Sequence, residues 1–247
     1  MLNVLDRHTI GRLLRSRDVA AWGVAANDPR LDPLAPDLPT AVTMLMRLDP
    51  AVLRALHHGP TDDYREEYRR VNAALDAATA TLATALRQHG HRAEAVLATI
   101  TTAAAGDGRG AGSGDREPGG NGGGPGRGGG APFPHKTAAT QAGLGWIGKT
   151  ALFVSNDFGP AVRLATVFTD LSLPVGTPIL EGRCGDCRAC VDACPAGCGR
   201  DVRWRAGMPL SRLFDAGACR HHMTVTYGKS PETVCGICIA ACPLSHA

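Results

Sequence analysis

Aromatic side chains make up only 4% of this sequence, and lysine is confined to Lys136, Lys149 and Lys229. Proteins that grip nucleic acid without sequence preference interleave basic residues with rings on which bases stack. The formal net charge is only +3, so neither half of that signature is present, which argues against a nucleic-acid partner. No run approaches the roughly 18 to 20 apolar residues of a membrane-crossing helix. The opening residues, Met1-Leu-Asn-Val-Leu-Asp-Arg-His8, lack the basic start and apolar stretch of a secretory signal. Cysteine is absent before position 184, and all nine lie between Cys184 and Cys242. Thiols read as reduced, with no export signal, predict a cytoplasmic protein. At 247 residues and 44% hydrophobic content, the chain can hold one larger domain and a small appendage.

The cysteine segment carries the strongest pattern. It reads Cys184-Gly-Asp-Cys187-Arg-Ala-Cys190-Val-Asp-Ala-Cys194-Pro195, then Cys219 alone, then Cys235-Gly-Ile-Cys238-Ile-Ala-Ala-Cys242-Pro243. A C-x2-C-x2-C-x3-C-P run is the ferredoxin spacing, in which three close thiolates hold one cubane and the fourth turns to a second. The second run lacks one ligand, which Cys219 supplies. The count then closes on two [4Fe–4S] clusters: Cys184, Cys187, Cys190 and Cys242 on one, Cys194, Cys219, Cys235 and Cys238 on the other. Zinc is the competing reading, but it prefers two pairs of ligands and has no use for the trailing Cys-Pro. Disulfides would need an oxidising compartment, and an odd total leaves one thiol over. Cys198 is that ninth thiol, read as a small half-buried residue behind the cluster turn.

Upstream, periodicity predicts an α+β body. Ile10, Leu13 and Leu14 share a helical face behind Asp6 as cap. Val19–Ala26 and Thr40–Met46 read as buried strands, the second apolar throughout and so covered on both faces. From Pro60 to His89, Tyr64, Tyr68, Val71, Leu75, Ala78, Leu82 and Leu86 recur at spacings of three and four and form one stripe. Thr61 or Asp62 caps that helix and Gly90 ends it. Arg92–Ile100 suggests a further strand. Residues 106–130 are more than half glycine, with nothing large to bury, which predicts a disordered insertion. A helix from Lys136 ends at Gly143, and the glycines of 143–148 make a turn that lets backbone approach a ligand. Thr150–Ser155 and Val162–Thr169 are expected to pair as a hairpin through Asn156–Pro160.

These motifs together carry a resemblance. Ala142-Gly-Leu-Gly-Trp-Ile-Gly-Lys149, Gly159 before a strand ending Val167-Phe-Thr-Asp170, Leu173-Pro174, and the double cysteine module with lone Cys219 resemble the epoxyqueuosine reductase family. The match is closest to its short relatives with two [4Fe–4S] clusters. Tyr64, Tyr68, Val71 and Asn72 on the long helix, and His135-Lys136 before the glycine turn, belong to the same pattern. The resemblance covers most of the chain outside the glycine tract. It implies a nitroreductase- or corrinoid-protein-like α/β domain over residues 1–175 and a ferredoxin-like double-cluster domain over 176–247. It also implies low-potential electrons passed through the clusters to cobalamin or a small substrate, and a donor such as ferredoxin or flavodoxin.

Three departures qualify what is carried over. The family's proton-donating Asp aligns with Gly129, and its Glu-Arg pair with His135-Lys136. The sequence ends five residues after Cys242, where many members that act on tRNA continue into helical repeats. The glycine tract occupies the approach to the site. His135 and Lys136 are therefore the candidate proton donors, and Gly143, Gly145, Trp146, Gly148 and Lys149 the candidate cofactor contacts. Imidazole is the group among these whose ordinary pKa suits proton transfer near neutrality. His221 and His222, after Cys219, are read as hydrogen-bonding near a cluster. An electron-transfer protein that docks a partner enzyme, with no substrate chemistry of its own, is the alternative.

Overall fold

The computed structural model describes residues 5–27, 37–98, 135–228 and 234–246. The expected insertion at 106–130 and the family's Asp position at Gly129 lie outside them. Helix α1 (Arg7–Arg15) begins at Asp6, whose carboxylate accepts from the Thr9 N–H at 2.7 Å. Strands β1 (Ala21–Ala26) and β2 (Thr40–Arg47) follow, then a short helix α2 (Pro50–Leu53). The long helix α3 (Asp62–Gln88) starts on Thr61, whose hydroxyl accepts from the Tyr64 N–H. It ends before Gly90, which takes φ +84°, the left-handed conformation that glycine adopts without a Cβ penalty. Strand β3 (Ala93–Val96), helix α4 (His135–Gln141) and strands β4 (Gly145–Ile147), β5 (Phe153–Ser155) and β6 (Val162–Thr169) complete the body. Short helices α5 (Ala189–Asp192) and α7 (Ile237–Ala240) and the longer α6 (Ala216–Tyr227) punctuate the cysteine segment.

The main sheet is antiparallel, in the order β1-β2-β6-β3. Strand β2 is buried from Thr40 to Met46, as its unbroken apolar run predicts. Alternation divides its two faces. Val42, Met44 and Met46, with Ala165 and Val167 of β6, pack on α1 and on the α3 stripe. Ala41 and Phe168 meet Ala138 and Ala142 around α4. Leu45 and Leu164 join Trp146, Ile147, Phe153, Ile179, Trp204 and Leu213 in a core that runs into the cysteine segment. The sheet is thus sandwiched between α1 and α3 on one side, where Ala240 of α7 joins the same core, and α4, the β4–β5 ribbon and the earlier part of the cysteine segment on the other. Leu75, Leu82 and Leu86 of α3 are fully buried, each contributing about 1.5–3 kcal/mol of transfer free energy.

The hairpin expected between Thr150–Ser155 and Val162–Thr169 does not form. Strand β5 pairs with β4, Trp146 opposite Val154, while β6 pairs with β2 and β3 in the main sheet. Asn156–Pro160 does turn back, with Ser155 and Gly159 bridged. The strands diverge beyond it because β6 completes its ladder against Thr40–Arg47, far away in sequence. Among the described residues no helix is long and apolar enough to cross a membrane.

Candidate metal centre

Tight local turns present the thiols. The Cys187 N–H closes on the Cys184 carbonyl, α5 carries Cys190, and the Cys194 N–H closes on Val191. On the returning chain Cys235 precedes Gly236, which takes φ +81°; α7 carries Cys238, and the Cys242 N–H closes on Ile239. Cys219 sits in the first turns of α6, where the Asp215 carboxylate accepts from the Ala218 N–H. Helices α5 and α7 pack together, so the two cysteine runs interleave.

Burial raises several of the thiols, and their neighbours add repulsion. Burial, with Cys190, Cys184 and Cys187 adding repulsion, pushes Cys242 up to about 11. Cys190 is raised by burial and by Cys184 and Cys187. Burial, reinforced by Cys235, Cys190, Cys194 and Cys219, pushes Cys238 up to about 12. Cys219 is raised by burial and by Cys194 and Cys235, and Cys198 by burial, Cys194 and Cys219. The spacing expects a first foursome of Cys184, Cys187, Cys190 and Cys242 and a second of Cys194, Cys219, Cys235 and Cys238; the repulsion between Cys190 and Cys238 crosses from one to the other. A cavity of about 250 Å³ is lined by the whole first foursome and Cys238, with Gly148 and Thr150 on its wall. Among the described residues no three Cys, His, Asp or Glu side chains are grouped as around a single metal ion. Thiols standing around a cavity fit a multi-iron cubane, which fills space between its ligands, better than a lone zinc. Buried thiols pushed upward are also what a cation-bearing cluster reverses on binding, since coordination takes the thiolate form.

Comparison with known proteins was made against this geometry. No family model matches the chain. A segment of 97 residues, 39% of this chain and 24% of the relative, is 38% identical to an epoxyqueuosine reductase from Pseudomonas aeruginosa. A segment of 124 residues, 46% of this chain and 30% of the relative, is 42% identical to the Escherichia coli epoxyqueuosine reductase. An epoxyqueuosine reductase solved with an epoxyqueuosine-modified tRNA-Tyr stem loop superposes with a TM-score of 0.57 at 18% identity, over 97% of this chain and 65% of that one. A catabolic reductive dehalogenase shares the fold at a TM-score of 0.72 and 17% identity, over 99% of this chain and 33% of the other. The chain is thus similar to epoxyqueuosine reductases over part of its length, and it matches about a quarter to a third of the length of these curated relatives.

The other predicted site residues are distributed unevenly. Trp146 and Gly148 reach the first foursome: the Trp146 indole N–H donates to Cys184 Sγ at 3.4 Å, and Gly148 borders the same sulfur. Lys149 is buried and bonds Asp201 Oδ1 at 2.7 Å, and Arg188 bonds the other carboxylate oxygen. The Lys149 hydrogen bond holds the Asp201 carboxyl below the usual carboxylate range. Lys149 thus ties the body to the cysteine segment. Gly143 and Gly145 are each required by the close approach of the chain's own backbone. A Cβ on Gly145 would stand 2.0 Å from the Val154 carbonyl oxygen, and one on Gly143, at φ +75°, 2.6 Å from the Thr177 oxygen. The chain's own backbone fills that space.

His135 and Lys136 open α4 against the sheet. His135 Nδ1 meets the Thr166 hydroxyl at 2.9 Å and Nε2 meets the Leu97 carbonyl at 2.9 Å. The carbonyl can only accept, so Nε2 carries the proton and Nδ1 accepts from Thr166. Burial pushes the His135 pKa down to about 4, which leaves the ring neutral at pH 7 and bound at both nitrogens. Lys136 donates to the Ala151 carbonyl at 2.7 Å, and burial, with Arg163 adding, lowers its pKa. An ordinary imidazole pKa, expected from composition, is displaced by this enclosure. His222 rests edge-on against Tyr227 with Nδ1 near Thr226. Cys198 is fully buried, and its N–H donates to Cys194 Sγ at 3.5 Å.

Sequence reasoning passed over Arg163. Its guanidinium lies 4.2 Å from the Tyr68 ring centroid and donates to Asn72 Oδ1 at 2.8 Å. The lone charge in the apolar strand Val162–Thr169 was the available signal.

Proposed function

We propose that this chain is an iron–sulfur redox protein. Cys184, Cys187, Cys190 and Cys242 ligate one [4Fe–4S] cluster, and Cys194, Cys219, Cys235 and Cys238 ligate a second. One observation carries the reading: a single cavity is lined by Cys184, Cys187, Cys190 and the distant Cys242, the four thiols that the ferredoxin spacing assigns to one cubane. Such clusters supply low-potential one-electron transfer. The protein holds the ligands on short turns, excludes water through the shared core, and keeps the foursomes adjacent at Cys190 and Cys238. Cys187 is exposed, which gives a donor such as ferredoxin or flavodoxin an approach to the first foursome.

The acceptor is a substrate or corrinoid held by the α/β body. For cobalamin the fit is poor at the residues so far considered. Gly143 and Gly145 are backed by the chain's own backbone, and His135 and Lys136 are spent on internal bonds. The cysteine-lined cavity is smaller than the roughly 300–1,000 Å³ typical of organic-ligand pockets. The same occupied donors favour the second reading, an electron carrier that docks a partner enzyme.

Anaerobic reconstitution tests the reading. About eight iron and about eight sulfide per chain are expected, with a cubane EPR signal on reduction. A reproducible value of about half that iron, unaffected by Cys219→Ala, would remove the second site. Titration of the reconstituted protein with cob(II)alamin separates the two readings, a base-off spectrum favouring the corrinoid acceptor and an unchanged spectrum the carrier.

A further inference from the structure

We propose that Trp146 sets the reduction potential of the cluster held through Cys184, by donating its indole N–H to that ligand's sulfur. This rests on the reading of Cys184 as a cluster ligand and goes beyond it, because it concerns how easily one particular cluster is reduced. The donor–acceptor distance is 3.4 Å, and the donor has nowhere else to turn. The ring is 6% exposed and packs in the core that holds Ile147, Phe153, Ile179 and Trp204. Its backbone is fixed in β4, opposite Val154 of β5. A buried indole N–H needs a hydrogen-bond partner, and here the partner is the sulfur. The exposed Arg183 places its guanidinium 5.9 Å from the same ring. A cation over the ring face polarises the indole and strengthens its N–H as a donor.

One-electron reduction of a cluster adds negative charge that its sulfurs share. A fixed N–H aimed at one of those sulfurs stabilises the reduced form more than the oxidised form, so it raises the potential. No bond to iron changes and no proton moves; the effect is a charge-assisted hydrogen bond that strengthens on reduction. The same foursome contains the exposed Cys187. The Trp146 bond therefore makes the solvent-facing cluster easier to reduce than it would be without the indole. The second foursome has a different set of donors: the Cys198 N–H lies 3.5 Å from Cys194 Sγ, and the Tyr227 side chain bonds Cys235. A change at Trp146 leaves those untouched, so the second cluster serves as an internal reference.

The test is an EPR-monitored redox titration of reconstituted wild-type protein and Trp146→Phe, which keeps a ring and removes the N–H. In the variant the iron content should hold and one of the two potentials should become more negative. The expected size is about a tenfold fall in the reduced-to-oxidised ratio at a fixed poise, about 59 mV for a one-electron couple. An unmoved pair of potentials at full iron content overturns the assignment, as does an equal shift of both, which marks a general change of packing. If Trp146→Phe fails to retain iron, pulsed EPR on the reduced wild-type protein decides. An exchangeable proton coupled to one cluster, lost in D2O and assigned to the 15N-labelled indole, supports the proposal, and the absence of such a coupling overturns it. A wild-type protein that never assembles cubanes instead overturns the proposed function, so the two failures are distinct.

Discussion

At the scale of single residues, similar side chains are put to unlike uses. Cys219 and Cys198 both lie beside Cys194; the proposed assignment gives Cys219 to the second foursome, while Cys198 is buried with its own N–H turned to Cys194. Cys219→Ala is therefore expected to lower iron from about eight to about four per chain, while Cys198→Ala leaves it unchanged, by iron and sulfide analysis. His135 carries a stability signature. Its pKa is about 4 in the folded protein against roughly 6.5 unfolded, so between those values the unfolded chain binds more protons. Stability from the buried neutral ring is complete above about pH 6.5 and drains away as pH falls toward 4. A His135→Gln variant, followed by urea denaturation from pH 7.5 to 4.5, should lose less stability across that window than wild type. Equal slopes would show that the ring is not enclosed.

At the scale of elements, the β4–β5 ribbon and α3 behave differently under mutation. Gly145 leaves no room for a Cβ beside Val154, and its neighbour Trp146 holds Cys184. Gly145→Ala should therefore lower the melting temperature and reduce iron together, because the ribbon must open to fit the methyl group. Loss of a small-molecule spectrum with iron and melting temperature intact would instead return Gly145 to a ligand-contact role. Helix α3 is a packing element. Leu82 is fully buried against the sheet, and Leu82→Ala should cost about 2–5 kcal/mol in urea unfolding.

At the scale of the whole molecule, the body and the cysteine segment share a core and an ion pair between the buried Lys149 and the exposed Asp201. Trp204, Leu213 and Ile179 pack with Leu45 and Leu164 of the sheet, and Lys149 reaches Asp201 across the junction. Asp201→Asn leaves the buried ammonium facing a neutral amide, so thermal unfolding should begin earlier and iron should be lost faster to a chelator. Asp201→Glu, which keeps the charge, should recover part of both. Identical chelation rates in all three proteins would show that the pair does not hold the segment down.

What the sequence determined by itself was governed by near neighbours. The spacing of cysteines within each run, the α3 stripe with Thr61 before it and Gly90 after it, the Asp6 cap and the buried β2 all follow from residues a few positions apart. Tertiary structure decided what depends on distant partners. Strand β6 left β5 for β2 because its apolar faces are completed there. Gly145 proved to be a packing glycine because Val154 comes to lie on it. His135 was kept neutral by desolvation, with Arg163 adding, and is bound by Thr166 and Leu97, 31 and 38 positions away; Trp146 found Cys184 at the same remove of 38. Periodicity reports which face of an element is apolar; it does not say which other element will cover that face, and in this chain the covering elements set the chemistry.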